Sequence, residues 1–165
     1  MVTKRRQKIP SLVSPWVRNH NLRMMFSVLL CTSLLCFSWF CVESGSSSNP
    51  TVLLIHGFPS QAYSYRKVLP VLSDKYRSIA FDWLGFGFSD KPQPKYGFDY
   101  TLDEYTSALE SIIDAVAPDK LSIVVQGYFA PIVVKYANEH QDKLNHLILI
   151  NPPASTNFYE LKASL

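Results

Sequence analysis

The residues able to do chemistry in this sequence gather in a few short segments. His56-Gly57-Phe58-Pro59 couples an imidazole to a sharp turn. Residues 82–92 hold Asp82, the Gly85/Gly87 pair, Ser89, Asp90 and Lys91. Residues 126–131 read Gln-Gly-Tyr-Phe-Ala-Pro, and residues 151–155 read Asn-Pro-Pro-Ala-Ser. Nucleophilic catalysis needs a hydroxyl, thiol or carboxylate beside a base. The thiols do not supply one. Cys31, Cys36 and Cys41 all lie in the first 49 residues, and their spacing of five matches no zinc pattern. They read as small apolar side chains in an apolar run. No metal site and no cofactor is expected. Tyr128 could attack in principle, but it has no base beside it. Besides His56, the histidines are His20, His140 and His146, in the N-terminal segment, at a helix end and at a strand start.

The elements that must position these loops are short and regular. Residues 51–56 (TVLLIH), 77–82 (RSIAFD), 121–126 (LSIVVQ) and 146–150 (HLILI) read as strands, two of them continuous apolar runs suited to burial on both faces. Between them lie helical windows. Ser60 is placed to cap a helix over 63–72. Thr101 and Glu104 form a capping box for a helix over 102–117, stopped by Pro118. A helix over 129–140 tolerates Pro131 in its first turn. Strands alternating with helices imply βαβ units, a parallel sheet and helices on both faces. Ligands of such sheets bind beyond the carboxyl ends of the strands, where all four loops fall.

Three of these loops, in order and each at a strand end, resemble the α/β-hydrolase fold, and most closely its haloalkane dehalogenase and epoxide hydrolase branch, including plant members. The likeness covers residues 50–155, with residues 39–43 as the remnant of an earlier strand. It implies an α/β fold: a truncated hydrolase-type sheet of about four mostly parallel strands, in the order second, first, third, fourth. It also implies that the backbone N–H of Phe58 and that of Tyr128 form an oxyanion or halide hole. His56, Gly57 and Pro59 are then the turn motif, with His56 structural and both its nitrogens satisfied. In the family the third loop carries the nucleophile, Asp or Ser, between strand and helix. Here that position is Gly127, which has no side chain to attack with, although glycine adopts the strained turn cheaply. Phe129 stands where the family has a second glycine. The family's acid, catalytic histidine and lid lie further along than Leu165. The resemblance therefore implies a hydrolase-like chain with no catalytic residue of its own.

The ends of the chain differ in charge. The net charge is +3 over 165 residues, yet residues 1–49 hold six basic side chains and one acid, while residues 50–165 are mildly acidic. A nucleic-acid-binding body would need its own basic stripe, so no nucleic-acid partner is expected. Residues 1–23 form a basic segment. Residues 24–42 carry no charge and as a helix would measure about 28 Å, close to a bilayer's hydrocarbon core. Three readings stay open: a membrane anchor, a plastid transit peptide, or a signal peptide. Residues 43–50 read as a serine-rich linker, and residues 51–165 as a partial hydrolase-like domain.

Three functions compete. One is a catalytically silent hydrolase-like chain. Another is a binding module whose pocket, built from Phe58, Trp83, Tyr128 and Phe129, holds an apolar small molecule. The last is an ester, epoxide or haloalkane hydrolase with a non-standard or externally completed site. The fourth strand would be an exposed sheet edge, inviting self-association through residues 147–150.

Overall fold

A computed structural model of the protein describes residues 24–31, 36–95, 97–117 and 119–154, with the backbone alone for 24–31. Strand β3 (Thr51–Ile55) pairs in parallel with β4 (Arg77–Phe81) on one side and β5 (Leu121–Gln126) on the other. Strand β6 (Leu144–Ile150) adds in parallel to β5. Two further strands, β1 (Met24–Cys31) and β2 (Cys36–Ser44), form an antiparallel pair, and β2 joins β4 antiparallel. The sheet order is β1-β2-β4-β3-β5-β6. The four strands expected from the sequence thus stand in their expected order.

The apolar stretch 24–42 is not one helix. Its second half is strand β2, which reaches the heart of the core. The physical reason is an alternation of two, not of 3.6. Trp39 and Cys41 pack into the core on one face of the sheet, and Phe40 and Val42 into the core on the other. A strand buried on both faces shows the same unbroken apolar run as a membrane helix. Glu43 and Ser44 also belong to β2, so the linker is shorter than residues 43–50. Among the described residues no helix is long and apolar enough to cross a membrane. Residues 1–23 and 32–35 lie outside the described residues, as do Pro118 and Ser155. Cys36 is disulfide-bonded, which corrects its reading as a plain apolar filler, whereas Cys41 is a free, buried thiol.

Helices cover both faces. Helices α2 (Leu102–Val116) and α3 (Ala130–Glu139) pack on the face that carries Leu53, Ile79 and Ile123. The capping box of Thr101 and Glu104 is formed, and Pro131 sits in the first turn of α3. The opposite face is covered by a 3-10 turn, Ala62–Tyr65, and a short helix α1 (Val68–Leu72). Ser60 does not cap that segment. The Ala62 N–H instead donates to Asp82 Oδ1 at 2.6 Å. A carboxylate from a neighbouring loop thus does the work expected of a local hydroxyl. Among the described residues β6 is one of the sheet's two outer strands, with Ile148 50% and Ile150 40% exposed.

Candidate functional site

Each loop takes its position from the strand that ends in it. Beyond β3, His56 is fully buried. Its Nδ1–H donates to the Gly57 carbonyl at 2.9 Å, and its Nε2 accepts the Trp83 N–H at 3.1 Å. A ring nitrogen that accepts an amide proton is unprotonated, so this imidazole is neutral with its hydrogen on Nδ1. Burial pulls its pKa below the ordinary value, against the Gly57 carbonyl and the Asp82 charge, which pull upward. With both nitrogens engaged, His56 has no free valence for a substrate proton.

Beyond β4, Asp82 is buried and ties three segments together. Oδ1 takes the Ala62 N–H, and Oδ2 takes the Phe88 N–H at 2.8 Å. Its carbonyl accepts the Ser89 hydroxyl, whose oxygen in turn accepts the Phe40 N–H at 2.9 Å. Gly87 has φ +47°, and a Cβ there would lie 1.9 Å from Asp82 Oδ2. Only glycine leaves the carboxylate room.

Beyond β5, Gly127 turns left-handed, φ +63°, between the strand and the helical run that opens α3. Its surroundings are unlike those of Gly87. A Cβ at 127 would meet nothing nearer than the Gly57 Cα, at 3.9 Å, an ordinary contact. The turn therefore has room for a Cβ and carries none. Tyr128 follows, 66% exposed, with its ring 5.9 Å from that of Phe58, which is 62% exposed.

The aromatic side chains divide into a floor and a wall. Trp83 was expected to line a pocket, but it is fully buried. Its ring packs against Trp39, Phe81, Tyr105 and Phe129 at centroid distances of 4.9–6.2 Å. Its size and planarity make it core floor. Phe129, also buried, reaches the surface of a cleft of about 580 Å³ together with Phe58, Phe86, Tyr105 and Tyr128. An adjoining pocket of about 300 Å³ shares Tyr105, Tyr128 and Phe129 and adds Pro153 from the loop after β6. All four strand-end loops thus contribute to one aromatic depression, as carboxyl-end geometry requires.

The sequence reading missed Tyr100 and Tyr105 as wall residues. Both flank the start of α2, and Tyr105 falls on that helix's apolar face, where its pattern is that of a core residue. Its hydroxyl donates to the Leu84 carbonyl at 2.9 Å, and burial pushes its pKa up. Elsewhere, Glu110, Glu139 and His140 bring ligand-type atoms within 4.8 Å of one another on α2 and beside the end of α3. Glu110 is already paired with His140 Nε2 at 2.9 Å, far from the strand ends in topology.

A mostly parallel sheet in which β5 ends in a left-handed elbow, beside the His-Gly-x-Pro turn that follows its neighbour β3, defines the hydrolase class of α/β proteins. The chain matches the family described as alpha/beta hydrolase fold over residues 50–164, and it belongs to that family. It is 33% identical over 117 residues to Epoxide hydrolase 1 of Caenorhabditis elegans, covering 71% of this chain and 28% of that protein. It is 33% identical over 118 residues to Haloalkane dehalogenase 2 of Mycobacterium bovis, covering 70% and 40%. Among solved structures, a putative ancestral haloalkane dehalogenase superposes with a TM-score of 0.65 at 27% identity, over 73% of this chain and 41% of the other. The chain thus spans well under half the length of these relatives.

Proposed function

We propose that this chain is a hydrolase-fold protein that holds an apolar small molecule in the aromatic cleft and does not turn it over. The observation that carries this reading is position 127. The elbow is kept in its left-handed form with open space above it, and the residue is glycine. Without a nucleophile there is no acyl- or alkyl-enzyme step, and losing that group alone removes orders of magnitude in rate. The described histidines add support. His56 has both nitrogens bonded inside the core, His140 is paired with Glu110, and His146 lies on β6 against Ser122. None of them belongs to the wall of the cleft.

The test uses the full chain with an aryl ester, an aryl epoxide and a primary haloalkane, chosen because named relatives act on epoxides and haloalkanes. Melting temperature and product are followed together. The expected result is a saturable upward shift with at least one probe and product formation no faster than in buffer. Turnover above buffer that disappears in Tyr128→Phe would overturn the silent reading. Absence of any saturable shift would overturn the binding one.

A further inference from the structure

We propose that Glu110, Glu139 and His140 form a zinc-binding site that staples α2 to α3, independently of the cleft. Glu110 belongs to α2, Glu139 is the last residue of α3, and His140 follows it at the helix end. The two helices pack side by side. One ligand-type atom from each of the three residues lies within 4.8 Å of the other two. Within the set, Glu110 Oε1 and His140 Nε2 are 2.9 Å apart. Around a tetrahedral zinc with bonds of about 2.1 Å, neighbouring ligand atoms stand about 3.4 Å from one another. Side-chain rotation is enough to carry the set to that geometry.

A second observation points to a ligand beside this set. Tyr136 is buried, 1% exposed, and its hydroxyl has no hydrogen-bond partner. A buried hydroxyl without a partner bears its full desolvation cost, and native structures meet it with ordered water or an ion. The Tyr136 ring lies against the His140 imidazole, with centroids 4.6 Å apart and planes 31° from parallel. Burial, and then the charges of Asp114, Glu110 and Asp142, push the Tyr136 pKa up to about 12. The orphaned hydroxyl thus stands in the field of Glu110, on the ring that covers His140. Three protein ligands leave zinc one position for water, and a water held there gives this hydroxyl its partner.

The surrounding charge favours a cation. Glu110 stands in the field of two ammoniums, Lys135 and Lys143. Each of them is already paired with another carboxylate, Lys135 with Asp103 and Lys143 with Asp114. With Glu139 and Asp142 in the same fields, five carboxylates face two ammoniums. The imidazole selects the metal. Magnesium and calcium take oxygen ligands, whereas one nitrogen with two carboxylates suits zinc. On binding, His140 keeps its ring hydrogen on Nδ1 and turns the Nε2 lone pair to the ion. No spacing in the sequence announces such a site, because Glu110 and His140 are thirty residues apart.

The experiment is a calorimetric titration of the tag-free full chain with zinc, magnesium and calcium chlorides at pH 7.5, with melting temperature followed in parallel. Zinc is expected to bind one-to-one and to raise the melting temperature, and the other two ions to do neither at the same concentration. His140→Gln and Glu110→Gln should each weaken zinc at least tenfold. Glu139→Gln changes an exposed side chain, so it keeps the test open if those two do not fold, and it should weaken zinc several-fold. Tyr136→Phe reads the hydroxyl. Without zinc it should melt no lower than the parent, because an orphaned group is removed. With zinc it should melt below the zinc-loaded parent. Absence of saturable zinc binding would overturn the site. So would zinc binding that none of the three ligand variants weakens, which would place the ion on other side chains such as the thiols. Magnesium or calcium bound as tightly as zinc would overturn the part given to His140. An unchanged zinc-induced shift in Tyr136→Phe would remove the hydroxyl from the site. None of these outcomes touches the reading of the cleft.

Discussion

The loop after β4 and the loop after β5 are built on opposite plans. After β4, the buried carboxylate of Asp82 and the hydroxyl of Ser89 are both committed. Asp82 binds Ala62 and Phe88 through its side chain, and Ser89 links its carbonyl to the Phe40 amide in β2. After β5, the backbone is bent as sharply, but Gly127 meets almost nothing. One loop is held by a buried hydrogen-bond network. The other is held by its flanking strand and helix and by the packing of the Tyr128 and Phe129 rings. Two neighbouring strand-end turns of this hydrolase-fold sheet thus keep their shape by different means, because different residues carry the two tasks.

The comparison makes unequal demands on substitution. Asp82→Ala should have the largest effect. It strands the buried Ala62 amide and the part-buried Phe88 amide, each costing up to about 1–3 kcal/mol, for a loss of about 2–5 kcal/mol of stability by denaturant melting. A loss under 1 kcal/mol would show that the network does not hold the loop. The two glycines come next. Gly127→Ala meets only the left-handed penalty, about 1–2 kcal/mol. Gly87→Ala meets the same penalty and drives a methyl to 1.9 Å from the Asp82 carboxylate. It should cost at least twice as much as Gly127→Ala. Equal costs would mean that the two turns are alike after all.

The sequence made the scaffold legible and the wall illegible, and the same physics explains both. Strands β3, β4 and β5 were readable because apolar runs between helical windows have few other solutions. The capping box of Thr101 and Glu104 was readable because it is a local hydrogen-bond pattern at fixed spacing. Ser60 misled for the opposite reason. The Ala62 amide is served by Asp82, twenty residues away, and no local pattern encodes that. The stretch 24–42 misled because length alone cannot separate a membrane helix from a hairpin with a doubly buried strand. Trp83 and Tyr105 show the limit at the site. One is a large aromatic just past a strand and the other a large aromatic in the first turn of α2, and only packing decides that one is floor and the other wall.

A smaller effect tests the His56 side of the comparison. Burial holds this ring's pKa below its ordinary 6.5, and its neutral Nε2 accepts the Trp83 amide. As pH falls below about 6.5 the unfolded chain takes up a proton that the native ring resists. The unfolded state then binds more protons, so stability is full above about 6.5 and declines as pH falls toward the depressed native value. A melting series from pH 7.5 to 5 should show this decline. In His56→Gln the same series should be flatter, from a lower starting point. An unchanged slope would place the titrating group elsewhere.

The smallest expected effect on stability lies at the flank of the sheet, where the contrast between a committed and an open region recurs. Strand β2 is enclosed between β1 and β4, whereas among the described residues β6 has one neighbour and turns Ile148 and Ile150 toward solvent. Natural edges are blunted by charge, proline or a short length, and Leu144–Ile150 has no lysine, glutamate, aspartate or proline over its seven residues. Its pairing with β6 of a second copy is the expected consequence. The variant Ile148→Lys/Ile150→Lys puts charge on the edge where no packed core is disturbed, so its melting temperature should stay near that of the parent. Sedimentation velocity should shift toward monomer in the variant and show concentration-dependent association in the parent. A monomeric parent at high concentration would show that the exposed edge of β6 does not pair with a second copy.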